Sequence, residues 1–72
     1  MIVKFSDGDY DYTRQMRDAR DGLLVASDWT QTLDAPLTDQ QRAAWATYRQ
    51  QLRDAPASWT PGPTWDAPEP PA

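Results

Sequence analysis

The residues best placed to do chemistry are three aspartates at alternate positions. Asp7, Asp9 and Asp11 in "DGDYD" are spaced like the start of a calcium loop. Such a loop needs glycine at its sixth position and glutamate at its twelfth. This chain has Tyr12 and Asp18 there, so the run reads as a solvated acidic turn and no metal is expected. Histidine and cysteine are absent, which removes the usual zinc ligands and any disulfide. The same absence removes the commonest base for activating a nucleophile. Lys4, the sole lysine, falls in a presumed strand. Gly8, Gly22 and Gly62 are too far apart to cradle a phosphate. Carboxylates abound, but an acid–base pair needs a pocket that drives the two pKa values apart, and a chain this small is not expected to hold one. The expectation is no catalytic residue, no cofactor and no enzyme.

What remains is chemistry of contact. The chain carries four tryptophans in 72 residues, and tryptophan is enriched where one protein anchors in another. Trp29 lies in the polar connection "SDWTQTLDAPLTDQQ". It either closes the open end of a small helical pair, covering Met16, Leu23 or Trp45, or docks into a partner. The first role needs an acceptor for its indole N–H, which the polar connection can supply. Trp45 and Tyr48 read first as core. Trp59 and Trp65 lie beyond the last expected helix, and either touch a partner or fold back. Arg49 and Arg53 have two readings as well. One is a solvated face balanced by aspartates, and the other is a planar fork that grips a partner's carboxylates. The candidate partner-binding set is therefore Trp29, Trp45, Tyr48, Arg49, Arg53, Trp59 and Trp65.

These side chains must be positioned by few elements. Residues 1–5, "MIVKF", read as a short strand, being largely β-branched or aromatic. No second strand is evident, so the strand is expected to pair with another molecule's sheet edge, if it forms at all. Residues 6–13 are a turn-rich acidic connector, in which Asp7-Gly8 is a turn signal and Asp11 or Thr13 can cap a helix. Met16, Ala19, Leu23 and Ala26, with Leu24 beside them, mark one face of a helix over about 14–26. Gly22 inside that helix costs ~1 kcal/mol against alanine. Thr38 and Gln41 form the pattern of a capping box, which starts a second helix over about 39–54. Its apolar stripe is Trp45, Tyr48 and Leu52, extended by Ala44 and Ala55. Arg49 and Arg53 fall near its expected end, where positive charge suits the helix dipole. Pro56 disfavours helical geometry at Ala55 and is expected to stop it. Between the helices Leu33 and Leu37 are expected to point somewhere dry. Residues 56–72 hold six of the seven prolines and favour an extended course.

The predicted fold class is mainly α. It comprises a two-helix hairpin over 14–55, a short N-terminal strand with its connector over 1–13, and an extended Pro/Trp-rich tail over 56–72. The formal charge of −4 argues against nucleic acid and anionic membranes as partners. No apolar run approaches the ~20 residues of a membrane span, and "MIVKF" is too short for a signal peptide's apolar core. The expected location is the cytoplasm. Chains of this length bury a small core and usually need a staple. With disulfides and zinc gone, a partner or self-association is what is left.

The stretch "RDGLLVASDWTQTLDAPLTDQQRAAWATYRQQLRDAP" resembles the bacteriophage tail assembly chaperone family. The pattern is an arginine-rich helix ending in Leu23 and Leu24, then Asp28, Trp29, Thr30 and Gln31, then Asp34, Pro36 and Leu37. It continues through Trp45, Tyr48, Arg49, Leu52, Arg53 and Asp54. The resemblance covers Arg20 to Pro56, and family members often end near a Trp-Pro pair, for which Trp65 and Pro68 stand here. It implies a non-enzymatic protein that binds a phage tail or tail-fibre subunit during virion morphogenesis in the host cytoplasm. The alternative is a permanent minor component of the phage tail, wedged between larger subunits. A third reading is a regulator whose proline-rich tail enters an aromatic groove of its target.

Overall fold

The computed structural model describes residues 1–6, 8 and 11–71. Its elements run β1 (Ile2–Lys4), α1 (Tyr12–Ser27), a 3-10 turn η1 (Asp28–Gln31), α2 (Asp39–Ser58) and β2 (Thr64–Asp66). The two helices form a hairpin, η1 sits at its tip, and the strands lie at the other end. The molecule is correspondingly long and thin, 42 × 18 × 18 Å. Asp7 and Asp9 of the acidic run lie outside the described residues. Among the described residues no group of carboxylates is arranged to hold a metal.

Of the two candidate caps, Asp11 starts α1: its carboxylate accepts from the Arg14 N–H at 3.1 Å. The buried face of α1 begins as predicted with Met16 but ends on Ser27, while Ala26 is exposed. The capping box of α2 is present in full. Thr38 Oγ1 accepts from the Gln41 N–H at 3.1 Å, and Gln41 Oε1 accepts from the Thr38 N–H at 2.9 Å. Tyr48, Arg49 and Leu52 are its buried residues, with Trp45 half-buried and Ala44 exposed.

Two expectations fail, and one pair of alternatives is decided. First, α2 does not stop before Pro56 but runs to Ser58. The preference against helix before proline is a local one, and here tertiary contact outweighs it. Ala55 and Trp59 pack against the core, and the Trp59 N–H still bonds Ala55 O at 3.0 Å. Arg53 is therefore not in the last turn, which holds no basic residue. Second, β1 has a partner within the chain. It pairs antiparallel with β2, Ile2 opposite Asp66, Val3 opposite Trp65 and Lys4 opposite Thr64. Third, the extended tail packs a core. Trp65 and Ala67 are each 3% exposed and join Met16, Tyr48 and Leu52 as the buried centre.

That core is small and holds one of the chain's four tryptophans, Trp65, with Trp45 and Trp59 packed half-buried against it. Alternation along β1 and β2 turns Val3, Trp65 and Ala67 inward, and leaves Ile2, Lys4, Thr64 and Asp66 outside. Phe5 and Trp59 meet edge to face, 5.9 Å between ring centres, and seal the helix–sheet junction. The Trp59 indole N–H donates to Thr64 O at 3.1 Å. Of the two courses open to Trp59 and Trp65, the tail takes the fold-back and covers this end itself.

Candidate partner-binding surface

The tip is built around Arg49. No basic residue lies in the last turn of α1, so its terminal carbonyls lack a local cation. Arg49 reaches across from α2 and supplies one. Its Nη1 donates to Leu24 O at 2.7 Å and to Ser27 Oγ at 2.8 Å, and its Nη2 to Asp28 Oδ1 at 2.6 Å. The guanidinium is buried while Asp28 stays largely in solvent. Arg49 Nε is buried without a partner, so the geometry satisfies the fork and leaves the third donor unmade. The fork is spent within the chain, on holding α1, η1 and α2 together.

The backbone of η1 is then largely closed. Thr30 Oγ1 donates to Ser27 O at 2.6 Å, and Thr30 is fully buried. The Thr32 N–H and hydroxyl both donate to Trp29 O, at 3.3 and 2.9 Å. The Ala35 N–H bonds Thr32 O at 3.3 Å, and Arg42 Nη2 reaches Ala35 O at 3.5 Å. A short polar turn has become a rigid platform.

On that platform sit apolar side chains with nothing over them. Trp29 leans on Trp45, ring centres 6.0 Å apart, and Trp45 meets Tyr48 edge to face at 5.6 Å. This aromatic chain runs from the core to the surface, where Trp29 remains 48% exposed. Its indole N–H has no protein acceptor among the described residues. The open end is only half covered, so both roles considered for Trp29 describe part of it. Val25, four residues before, is 70% exposed, and Leu33, four residues after, is 93% exposed. The expectation that Leu33 points somewhere dry is wrong, whereas Leu37 is half-buried. Asp28, Asp34 and Asp39 are exposed around the same tip.

The predicted contact residues therefore separate. Trp29 and the edge of Trp45 reach the tip surface. Arg53 faces solvent with no carboxylate partner among the described residues, but on the outer side of α2. Tyr48, Arg49 and Trp65 are interior, and Trp59 is half-buried at the sheet end. Val25 and Leu33 were not anticipated as surface contacts. The available signal was their spacing about Trp29, since a helix end and turn this short cannot bury all three.

An open groove lies at the sheet end, lined by Asp54, Ser58, Trp59, Trp65, Asp66 and Glu69 among others. Its carboxylates serve the chain itself. The Met1 ammonium donates to Glu69 Oε1 at 2.6 Å, Ala67 O at 3.1 Å and Asp66 Oδ1 at 3.4 Å. The hydrogen bond it donates to Glu69 is the largest cause that holds this amine above its ordinary pKa of 8.0, with the Asp66 contact adding. Burial, and then the charge of Glu69, raise the Tyr48 hydroxyl above 10.0. Neither group is poised to exchange a proton near neutrality.

The family model for the phage tail assembly chaperone protein matches residues 13–72. The chain belongs to that family. The match extends past the Arg20–Pro56 stretch that carries the resemblance, and it takes in the whole proline-rich tail with Trp59 and Trp65. Only β1 and the acidic connector fall before it. No curated protein and no solved structure matches the chain. The family description assigns a role in phage tail assembly and names no reaction. None of the described helices is long and apolar enough to cross a membrane.

Proposed function

We propose that this member of the phage tail assembly chaperone family works by holding an apolar surface of a tail or tail-fibre subunit against the hairpin tip during virion morphogenesis in the host cytoplasm. The observation that carries the reading is the exposure of Val25, Trp29 and Leu33 at a tip whose backbone is largely closed. Scattered exposed apolar residues are ordinary, but three gathered at one end of an 8.2 kDa chain are not. The half-exposed indole is the kind of anchor that dominates binding energy, with a rigid seat that lowers the entropy lost on docking. Trp45 supports Trp29 from behind, and Arg53 offers a free fork to a carboxylate on any partner that reaches along α2.

The test is the affinity of each tail and tail-fibre subunit of the phage for the wild-type chain and for Trp29→Ala with Leu33→Asp. Loss of roughly thirtyfold or more in affinity is expected, as for truncation of an interface anchor, with stability lowered by no more than about 1 kcal/mol. Unchanged affinity for every subunit would remove the tip from the interface. Mass spectrometry of purified particles then separates a transient chaperone from a permanent tail component, since only the latter is present in fixed proportion.

A further inference from the structure

The sheet end leaves a different kind of surface open. The Ala67 N–H donates to Met1 O and the Phe5 N–H to Pro63 O, both at 2.8 Å. In an antiparallel ladder hydrogen-bonded pairs alternate. Residues 1, 3 and 5 therefore turn their backbone groups toward β2, and Ile2 and Lys4 turn theirs away. The next outward position, Ser6, is already filled by a side chain that imitates a strand. Gln15 Oε1 accepts from the Ser6 N–H at 2.8 Å, and Gln15 Nε2 donates to Ser6 O at 3.3 Å. On the far side of the sheet, the Trp59 indole occupies Thr64 O. The outward donors and acceptors of Ile2 and Lys4 have no partner among the described residues. Ile2 is 62% exposed beside them.

We infer that this edge of β1 accepts a short extended strand of a phage tail protein, paired through the N–H and C=O groups of Ile2 and Lys4. Strand addition draws affinity from main-chain bonds and selectivity from alternate side chains. Opposite Ile2 the site fits a β-branched or aromatic residue. Opposite Lys4 it fits a carboxylate, because this ammonium has no carboxylate partner in the chain among the described residues. A second copy fits less well. Antiparallel pairing of two β1 strands about Val3 would set Ile2 against the copy's lysine and give neither ammonium a carboxylate.

The inference takes its class of partner from the proposed function but not its surface, so the two fail separately. The probes are the phage's purified tail and tail-fibre subunits, titrated onto the full chain. Lys4→Pro removes one outward N–H and spares the ladder, since proline is tolerated on a sheet edge. Lys4→Ala removes the charge and keeps the N–H. Lys4→Pro is expected to bind at least tenfold more weakly than Lys4→Ala, and the Lys4 amide of the wild-type chain is expected to become protected from hydrogen exchange in the complex. Equal binding by the two variants, with the Lys4 amide exchanging as fast bound as free, would overturn the edge while leaving the tip untouched. Protection that grows with the chain's own concentration, without any subunit, would also overturn it in favour of a second copy. The exchange measurement on wild-type protein stands even if the proline variant fails to fold.

Discussion

The two ends of this molecule are unfinished in opposite ways. At the tip the backbone is largely closed by Thr30, Thr32 and Arg49, and apolar side chains are left out. At the sheet end the aromatic side chains are buried, and two residues of backbone are left out. The difference lies in what each end has nearby. The tip has a polar connection rich in hydroxyls and carbonyls, which satisfies peptide groups but cannot cover an indole. The sheet end has a folded-back tail with two tryptophans, which covers side chains, but only one further strand, which cannot close both edges of β1. A thin chain can finish one kind of surface at each end, and the kind left over says what a partner must supply.

Substitutions should therefore have opposite signatures at the two ends. The largest loss of stability is expected from Trp65→Ala, which empties the buried centre. Truncation of a buried tryptophan costs ~3–5 kcal/mol, enough to unfold a domain of marginal stability. Trp29→Ala should leave stability within about 0.5–1 kcal/mol, since half of that ring is already in water. Chemical denaturation of the two variants side by side sharpens the comparison, and equal losses would break it. Next comes Arg49→Ala, which strips hydrogen bonds from Leu24 O, Ser27 Oγ and Asp28. A cost of ~1–3 kcal/mol is expected, with increased mobility of Trp29 in nuclear relaxation, because the seat of η1 is lost.

Smaller effects probe the helices. Thr38→Ala removes one half of the capping box and should cost ~1 kcal/mol. Gly22→Ala should stabilise by up to ~1 kcal/mol, because a methyl group there meets nothing within 4 Å. The smallest effect concerns pH. Both the Met1 amine and the Tyr48 hydroxyl have folded pKa values above their unfolded ones. Their contributions are complete below the unfolded values and are lost as pH rises through the folded ones. The melting temperature is expected to decline above about pH 8, the ordinary pKa of the amine being 8.0. Glu69→Gln should flatten the first part of that decline, and a melting curve insensitive to alkali would contradict both assignments.

The helical hairpin was legible in the sequence because its signals are local. The Thr38–Gln41 capping box and the Trp45, Tyr48 and Leu52 stripe each lie within one or two turns. The N-terminal strand was legible from its β-branched run, but its partner was not. β2 has three residues set among prolines, and its residues lie 60 to 64 positions from their partners in β1. Short-range patterns carry no information about such a pairing. The helix end was misplaced because the proline rule is a preference, which Ala55 and Trp59 override by packing. At the tip, the two readings of Trp29 each describe part of it, since the ring leans on Trp45 and stays half exposed. Arg49 was not read as interior, since an arginine on a helix usually faces water. The missing cation in the last turn of α1 was the one hint that a partner helix supplies it. Leu33 was assigned to a dry site on hydrophobicity alone, although no element of this small chain reaches it.

Indole hydrogen exchange followed by nuclear magnetic resonance, on the free chain and on its complex with a tail subunit, reads the central claim in one experiment. The account predicts that in the free chain the Trp29 indole exchanges fast, while Trp59, bonded to Thr64 O, and the buried Trp65 are protected. In the complex Trp29 alone among these three should gain protection. Fast exchange at Trp59 and Trp65 in the free chain, with protection gained there on binding and none gained at Trp29, would contradict it.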